Sequence, residues 1–207
     1  MIKSIFISSK IELDKHHQAY IKVSTELLNY IQSFKLNTNI GYSLHNKTIK
    51  NILRNNQGLI LSGNGDINQI NKTKENLLRD KFEKKILNIF LNRNKPILCI
   101  CRGFQFFASL NKGIFKKSNI HIKKNHNLTI SKNSKYVNRS RLKVNSYHNF
   151  IITNFIDKEI NIISKTEDGS IEIAEHKSKK LLLIMFHPER KNISQKAIDK
   201  IIGNFFK

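Results

Sequence analysis

Cysteine is nearly absent from this chain: Cys99 and Cys101 are its only two, one residue apart. On a strand such neighbours face opposite ways, and so short a loop cannot close a relaxed disulfide. The pair therefore excludes a disulfide scaffold and points to a reducing compartment. Long apolar runs are missing too. The longest clean one, residues 181–186, falls far below the roughly 18 residues of a membrane span. The opening MIKSIFISSK lacks the basic start, long apolar stretch and small-residue cleavage site of a secretory signal. A cytoplasmic location with no membrane partner is the expectation.

Acidic residues are the third scarcity. Fifteen Asp and Glu stand against 37 Lys and Arg, a formal charge of +22. Taken alone that surplus points to nucleic acid, a membrane surface or a phosphorylated ligand. The cations, however, are mostly Lys and run from Lys3 to Lys207 among many Asn and Ile residues. Their densest stretch, residues 116–135, is loop-like and has no aromatic stacking partners. This pattern describes a generally solvated basic surface and not a dedicated nucleic-acid site.

What is present is gathered into segments. Apolar residues make up 39% of the chain, and a chain of this length can bury a full α/β core as one domain over residues 1–207. Residues 2–7 suit a first buried strand. Residues 16–34 carry Ala19, Val23, Leu27, Leu28 and Ile31 at helical spacing, which predicts an amphipathic helix. Further expectations are a strand over 39–44, a short helix over 47–54 and a strand over 58–61 that runs into the turn Ser62-Gly63-Asn64-Gly65-Asp66. Residues 73–92 predict the clearest helix, with Leu77, Leu78, Phe82, Ile86, Leu87, Phe90 and Leu91 on one face and charged residues opposite. Pro96 bars its continuation and opens a continuous apolar strand over 97–100. A sharp turn at Cys101-Arg102-Gly103 leads to a helix over 104–110. After Gly113 come short strands and polar loops, then a hairpin of 171–174 with 181–186, and a closing helix over 193–206. Strands alternating with helices predict a mostly parallel sheet with helices on both faces, to which the hairpin adds an antiparallel edge. No internal repeat or interdomain linker interrupts it.

Ligands on such sheets bind beyond the carboxyl ends of the strands, where both the Gly63 turn and Cys101 fall. A cysteine directly between a buried strand and a helix has the layout of a nucleophile elbow, and the helix N-terminus behind it favours the thiolate. The same residue could equally be a buried, inert thiol. His187 and Glu189 flank Pro188 just after an apolar strand, so in extended backbone their side chains point the same way. A carboxylate on one ring nitrogen fixes the tautomer that takes the thiol proton on the other. The glycine-rich turn at 63–65 could present an amide that, with the amide of Arg102, holds an oxyanion.

Four motifs taken together carry a resemblance: Cys101-Arg102-Gly103-Phe104-Gln105, Phe186-His187-Pro188-Glu189, Gly63-Asn64-Gly65-Asp66 and Val144-Asn145-Ser146-Tyr147-His148, with Arg79-Asp80-Lys81-Phe82-Glu83 in support. The chain resembles the γ-glutamyl hydrolases of the class I glutamine amidotransferase-like superfamily, in particular the γ-glutamyl-γ-aminobutyrate hydrolase branch. Its length is similar to that of short bacterial members, among them those acting on γ-glutamyl-CDP-amidate in capsule phosphoramidate synthesis. The resemblance implies a flavodoxin-like three-layer α/β/α sandwich and a small-molecule γ-glutamyl substrate. It implies neither cofactor nor metal, and a homodimer is compatible with it. By the same resemblance Cys101 is the nucleophile, His187 the acid/base and Glu189 its orienter. Gly63 or Asn64 and Arg102 supply oxyanion amides, and Gln105, Asn145, Ser146, Tyr147 and His148 line the substrate pocket. His148 is followed by Asn149 and Phe150 where the larger hydrolases carry a second His and a Gln, so γ-aminobutyrate is not assumed as the leaving group. Two other readings differ in what they would do in a tube. A glutaminase subunit serving a synthase partner would hydrolyse little alone, and a basic nucleic-acid-binding protein on a hydrolase scaffold would bind RNA or DNA in a salt-dependent way without thiol reactivity.

Overall fold

A computed structural model of the chain describes residues 2–207. The first strand, β1 (Ser4–Ser8), is followed by a small antiparallel ribbon of β2 (Lys10–Leu13) and β3 (Ala19–Lys22), with Lys10 opposite Lys22 and Leu13 opposite Ala19. Asp14 closes the ribbon tip: its Oδ1 accepts from the amides of His16 (2.8 Å) and Gln18 (2.9 Å), while His17 takes φ 60°. The helix expected over 16–34 is therefore only α1 (Thr25–Gln32), capped by Ser24, whose Oγ accepts from the Leu27 amide at 3.1 Å. Ala19 belongs to the exposed ribbon and Val23 precedes the cap; Leu27 and Ile31 alone are buried on α1. An Asp able to fold its own backbone into a turn and a Ser able to cap a helix outweighed an accidental run of three-and-four spacing.

From there β4 (Asn37–Gly41), α2 (Asn46–Asn55), β5 (Gly58–Leu61), α3 (Lys74–Asn92), β6 (Ile97–Ile100) and α4 (Arg102–Leu110) alternate. Two ribbons follow, in which β7 (Ile114–Lys117) pairs with β10 (Phe150–Asn154) and β8 (Ile122–Thr129) with β9 (Arg141–Tyr147). The chain returns to the sheet through β11 (Ile160–Lys165), β12 (Ile171–His176) and β13 (Leu181–Ile184), and ends in α5 (Gln195–Phe205). Strand order in the main sheet is β11-β12-β13-β6-β5-β1-β4. The strands β4, β1, β5, β6 and β13 run parallel, and β12 and β11 form the antiparallel edge. The expected hairpin is present, but its second strand lies inside the parallel region beside β6 and stops at Ile184, where Met185 donates its amide to the Glu172 carbonyl (2.9 Å). The strand expected over 39–44 sits earlier, at Asn37–Gly41, in register with β1. The last helix starts later than residue 193, leaving Ile193 exposed.

The alternation of side chains explains the apolar runs. Leu59 and Leu61 of β5, Ile97 and Cys99 of β6 and Leu181 and Leu183 of β13 pack with Ile49 of α2, Phe82 and Ile86 of α3 and Phe104 of α4. Their neighbours Ile60, Leu98, Ile100, Leu182 and Ile184 face the other way, against Leu27 and Ile31 of α1 and Ile198, Ile202 and Phe205 of α5. A sheet covered on both faces buries every position of its central strands, and the result is three layers, α/β/α. Among the described residues no helix is long and apolar enough to cross a membrane.

The face of α3 differs from its expectation. Leu77 is exposed, whereas Arg79 and Glu83 are buried with Phe82, Ile86 and Phe90. Arg79 Nε donates to Glu83 Oε1 at 2.8 Å, Ser8 Oγ donates to the same oxygen at 2.7 Å, and Arg102 bonds both Glu83 and Asp80. Two guanidiniums and two carboxylates thus neutralise one another beneath the carboxyl ends of β5 and β6.

Candidate active site

Cys101 occupies the single residue between β6 and α4, at φ 49° and ψ −102°. A non-glycine residue in that region costs about 1–3 kcal/mol and persists only where the surroundings hold it. Here the Cys101 amide donates to the Ile184 carbonyl at 2.7 Å and the Cys101 carbonyl accepts from the Gln105 amide at 3.0 Å. A Cβ on Gly103 would lie 2.2 Å from the Leu61 carbonyl oxygen, so glycine alone lets α4 begin this close to β5. Burial pushes the Cys101 thiol up, yet the His187 charge beside it and a hydrogen bond from that ring outweigh burial and hold its pKa below the usual thiol value. Cys99 behaves in the opposite way. It is fully buried, and burial together with the Glu83 charge pushes its pKa well above the usual value, which leaves an inert thiol.

His187 stands three residues past β13, and its backbone is clamped on both sides. Its amide donates to Asn145 Oδ1 (2.9 Å), while its carbonyl accepts from Asn145 Nδ2 (2.8 Å) and Asn192 Nδ2 (3.0 Å). Asn192 in turn accepts the Asn145 amide at 2.8 Å. With the backbone fixed, Nδ1 of the ring meets Glu189 Oε1 at 2.7 Å, the two-residue spacing at work, and the other edge of the ring is left to Cys101. Burial disfavours the imidazolium, but the Cys101 and Glu189 charges and hydrogen bonds override it and raise the His187 pKa to about 10. Both shifts favour the thiolate–imidazolium pair over the neutral one. The ring is also wedged against Gly63, where an added Cβ would lie 2.7 Å from His187 Cε1, and it meets the Tyr147 ring edge-on at 6.0 Å. The Arg190 guanidinium covers Tyr147 at 4.5 Å.

The turn after β5 is held from below. Arg79 donates to the carbonyls of Ser62 (2.8 Å), Gly63 (3.3 Å) and Asn64 (2.7 Å). In a trans peptide the N–H points away from the preceding C=O, so with these carbonyls drawn toward α3 the amides of Gly63 and Asn64 turn to the opposite side. Asn64 at φ 68° and Gly65 at φ 77° complete the reversal. The Arg102 side chain is committed to Asp80 and Glu83, which leaves its backbone amide, at the start of α4, as the group available to a ligand.

The structure brings together Cys101, His187, Glu189, Gly63, Tyr147 and His148. The other expected pocket residues have internal partners: Gln105 Nε2 donates to the Phe150 carbonyl (2.9 Å), Ser146 Oγ donates to the His121 carbonyl (2.7 Å), and Asn145 holds His187. Sequence reading missed Asn192, Arg79 and Glu83 as supports. The last two stood in the supporting Arg79-Asp80-Lys81-Phe82-Glu83 motif, but their burial left no trace beyond a pair of opposite charges four apart on a helix.

A seven-stranded, mostly parallel sheet with a thiol at the elbow is the architecture of class I glutamine amidotransferase-like enzymes. Solved structures bear out the fold. A protein of Thermoplasma acidophilum described as a candidate GMP synthase component superposes with a TM-score of 0.74 at 20% identity, covering 100% of this chain and 93% of that one. A glutamine amidotransferase of Thermotoga maritima gives 0.65 at 13% identity, covering 90% and 76%. The chain belongs to the Peptidase C26 family, whose model matches residues 4–189, and it is a hydrolase of the γ-glutamyl hydrolase and glutamine amidotransferase-like kind. Among curated relatives, the γ-glutamyl-CDP-amidate hydrolase of Campylobacter jejuni is 29% identical over 167 residues, 81% of this chain and 76% of that protein. The glutamine-hydrolyzing GMP synthase component of Methanosphaera stadtmanae is 29% identical over 138 residues, 65% and 66% of the two chains.

Proposed function

We propose that Cys101 cleaves a γ-glutamyl amide through a γ-glutamyl thioester, with His187 as acid and base and Glu189 holding the imidazole. The observation that carries this reading is the His187 ring, bonded to Glu189 at 2.7 Å on one side, with Cys101 on the other close enough for its charge to raise the His187 pKa and to be favoured in return. The thiolate attacks the γ-carbonyl carbon, and the carbonyl electron pair moves to oxygen, facing the amides of Gly63 or Asn64 and Arg102. Collapse breaks the C–N bond, and His187 gives its proton to the leaving nitrogen. Water then attacks the thioester while neutral His187 takes its proton, releasing glutamate and the thiolate. Tyr147 and His148 flank the reacting centre and contact the substrate; Asn145 acts by positioning His187. A reducing compartment keeps a free thiol nucleophile from oxidation, so this reading includes a cytoplasmic location.

The leaving group we propose is an anionic phosphoramidate of the CDP-amidate kind, the substrate for which the Campylobacter relative is named. The basic surface of the chain favours such a ligand. Glutamate release from γ-glutamyl-CDP-amidate, simple γ-glutamyl amides and glutamine, measured on the isolated protein, tests it. The expected order of kcat/KM puts the nucleotide substrate first. Turnover of none of them alone, but of glutamine once a synthase partner is added, would replace this reading with the ammonia-supplying one that the GMP synthase relative suggests.

Gly63→Ala offers a separate check. The new methyl would displace the His187 ring from below, so kcat is expected to fall by about 100-fold with the far-ultraviolet circular dichroism unchanged. Wild-type kcat in that variant would mean that the ring position is not critical.

A further inference from the structure

Beside this centre lies a second cluster that takes no part in the proton transfers above. His121, just before β8, His148, between β9 and β10, and Glu172 of β12 are all buried, and one potential ligand atom from each lies within 4.8 Å of the other two. His121 Nδ1 stands 3.8 Å and His148 Nε2 3.6 Å from Glu172 Oε1, both too long for hydrogen bonds. Neither of those nitrogens has a hydrogen-bond partner, nor has Glu172 Oε2. Three buried polar groups from three chain segments thus converge without satisfying one another, which buried polar atoms in proteins rarely do.

The surroundings say what would satisfy them. His121 Nε2 bonds Asp168 Oδ2 at 2.8 Å, so in the neutral ring the proton sits on that outward nitrogen and Nδ1 turns its lone pair to a carboxylate. A lone pair facing a carboxylate calls for a cation between them. The outward carboxylate is also the partner that orients a metal-binding histidine and fixes its tautomer. Glu172 is steadied by Ser170 Oγ at 2.8 Å, and the His121 backbone by Ser146 Oγ at 2.7 Å. Tetrahedral coordination with bonds of about 2.0–2.1 Å places ligand atoms about 3.3 Å apart, which asks each nitrogen to approach Glu172 Oε1 by a few tenths of an ångström and the two rings to close in from a spacing of up to 4.8 Å. A cavity of about 330 Å³, lined by His121, His126, Thr166 and Asp168, reaches the cluster from one side.

We propose that His121, His148 and Glu172 bind one divalent transition-metal ion of the zinc kind, with Asp168 as the positioning residue and a fourth position open to water or ligand. Two imidazoles and a carboxylate are the donor set that suits zinc and its neighbours and not magnesium or calcium. No sequence motif announces the site, because two ligands adjoin the β-ribbons and the third lies on β12 of the main sheet, with no fixed spacing.

The Cys101→Ala protein is the background for the test, so that the thiol cannot supply a ligand. After chelator treatment and dialysis against Co2+ or Zn2+, elemental analysis is expected to find one ion per chain, and Co2+ to give visible ligand-field bands without a thiolate charge-transfer band. Glu172→Gln, which keeps the shape of the side chain, is expected to weaken binding at least tenfold, and Asp168→Asn by about 10- to 100-fold. Circular dichroism confirms that each variant is folded. A folded Cys101→Ala protein that retains no ion, or Glu172→Gln binding as tightly as its parent, overturns the proposal.

Discussion

Cys101→Ala is expected to lower kcat on a γ-glutamyl amide by at least about 10⁴-fold, because residual turnover would come from oxyanion stabilisation and binding alone. Cys99→Ala should keep most activity, since that thiol lies in the core between the sheet and α3 and its thiolate is strongly disfavoured. The reactive state can be seen without substrate. Alkylation by iodoacetamide follows the thiolate fraction, so its pH profile should fall below the ordinary thiol value of about 8.5 and mark Cys101 alone. In His187→Ala the imidazolium is gone and burial, with the Glu189 charge, is opposed only by the lesser effect of His148, so the profile should move to the alkaline side of that value. If the two cysteine variants behave alike, or if the profile ignores His187, the thiolate–imidazolium pair is not what drives the chemistry.

How much of this could be read from the sequence depended on how local the cause was. Gly58–Leu61 and Ile97–Ile100 were legible to the residue because a strand covered on both faces is a continuous apolar run bounded by glycine or proline. Cys101 was legible because strand, thiol and helix follow one another directly, and His187 with Glu189 because extended backbone repeats every two residues. Residues 16–34 misled because helical spacing arose by chance across a turn that Asp14 closes with its own side chain. The illegible parts were those whose partners are remote in the chain. Glu83 meets Arg102 across 19 residues and Ser8 across 75, and Asn145 meets His187 across 42. Nothing in a helix reading distinguishes Glu83 from solvated neighbours such as Glu75, because what buries it is the arrival of Arg102 from the elbow. The family resemblance likewise assigned Asn145 and Ser146 to the pocket, whereas their side chains support His187 and His121 from behind.

Glu83→Gln is expected to be the most destabilising conservative change in the chain. Its carboxylate stands against Arg79 and Arg102 with none of the three side chains reached by water, so the amide would leave two guanidiniums sharing only Asp80. Breaking such a buried pair costs about 3–5 kcal/mol, which for a chain of this length is a fall of about 6–20 °C in Tm. Burial pushes the Glu83 pKa up, but the Arg102 and Arg79 charges outweigh burial and hold it below the usual value. A carboxylate with a depressed folded pKa stabilises above its unfolded value of about 4.3, and that stabilisation is lost as the pH falls through the folded value. The Tm gap between wild type and Glu83→Gln should therefore be wide at neutral pH and narrow in acid below about 4.3. The change reaches the chemistry through Arg79, whose guanidinium draws back the carbonyls of Ser62, Gly63 and Asn64 and so turns their neighbouring amides outward. At a temperature where Glu83→Gln remains folded, kcat should still fall while alkylation of Cys101 proceeds as in the wild type, because the thiol and its histidine stand on other supports. Equal kcat in the two proteins would detach the buried ion network from the oxyanion turn and leave it a purely structural device.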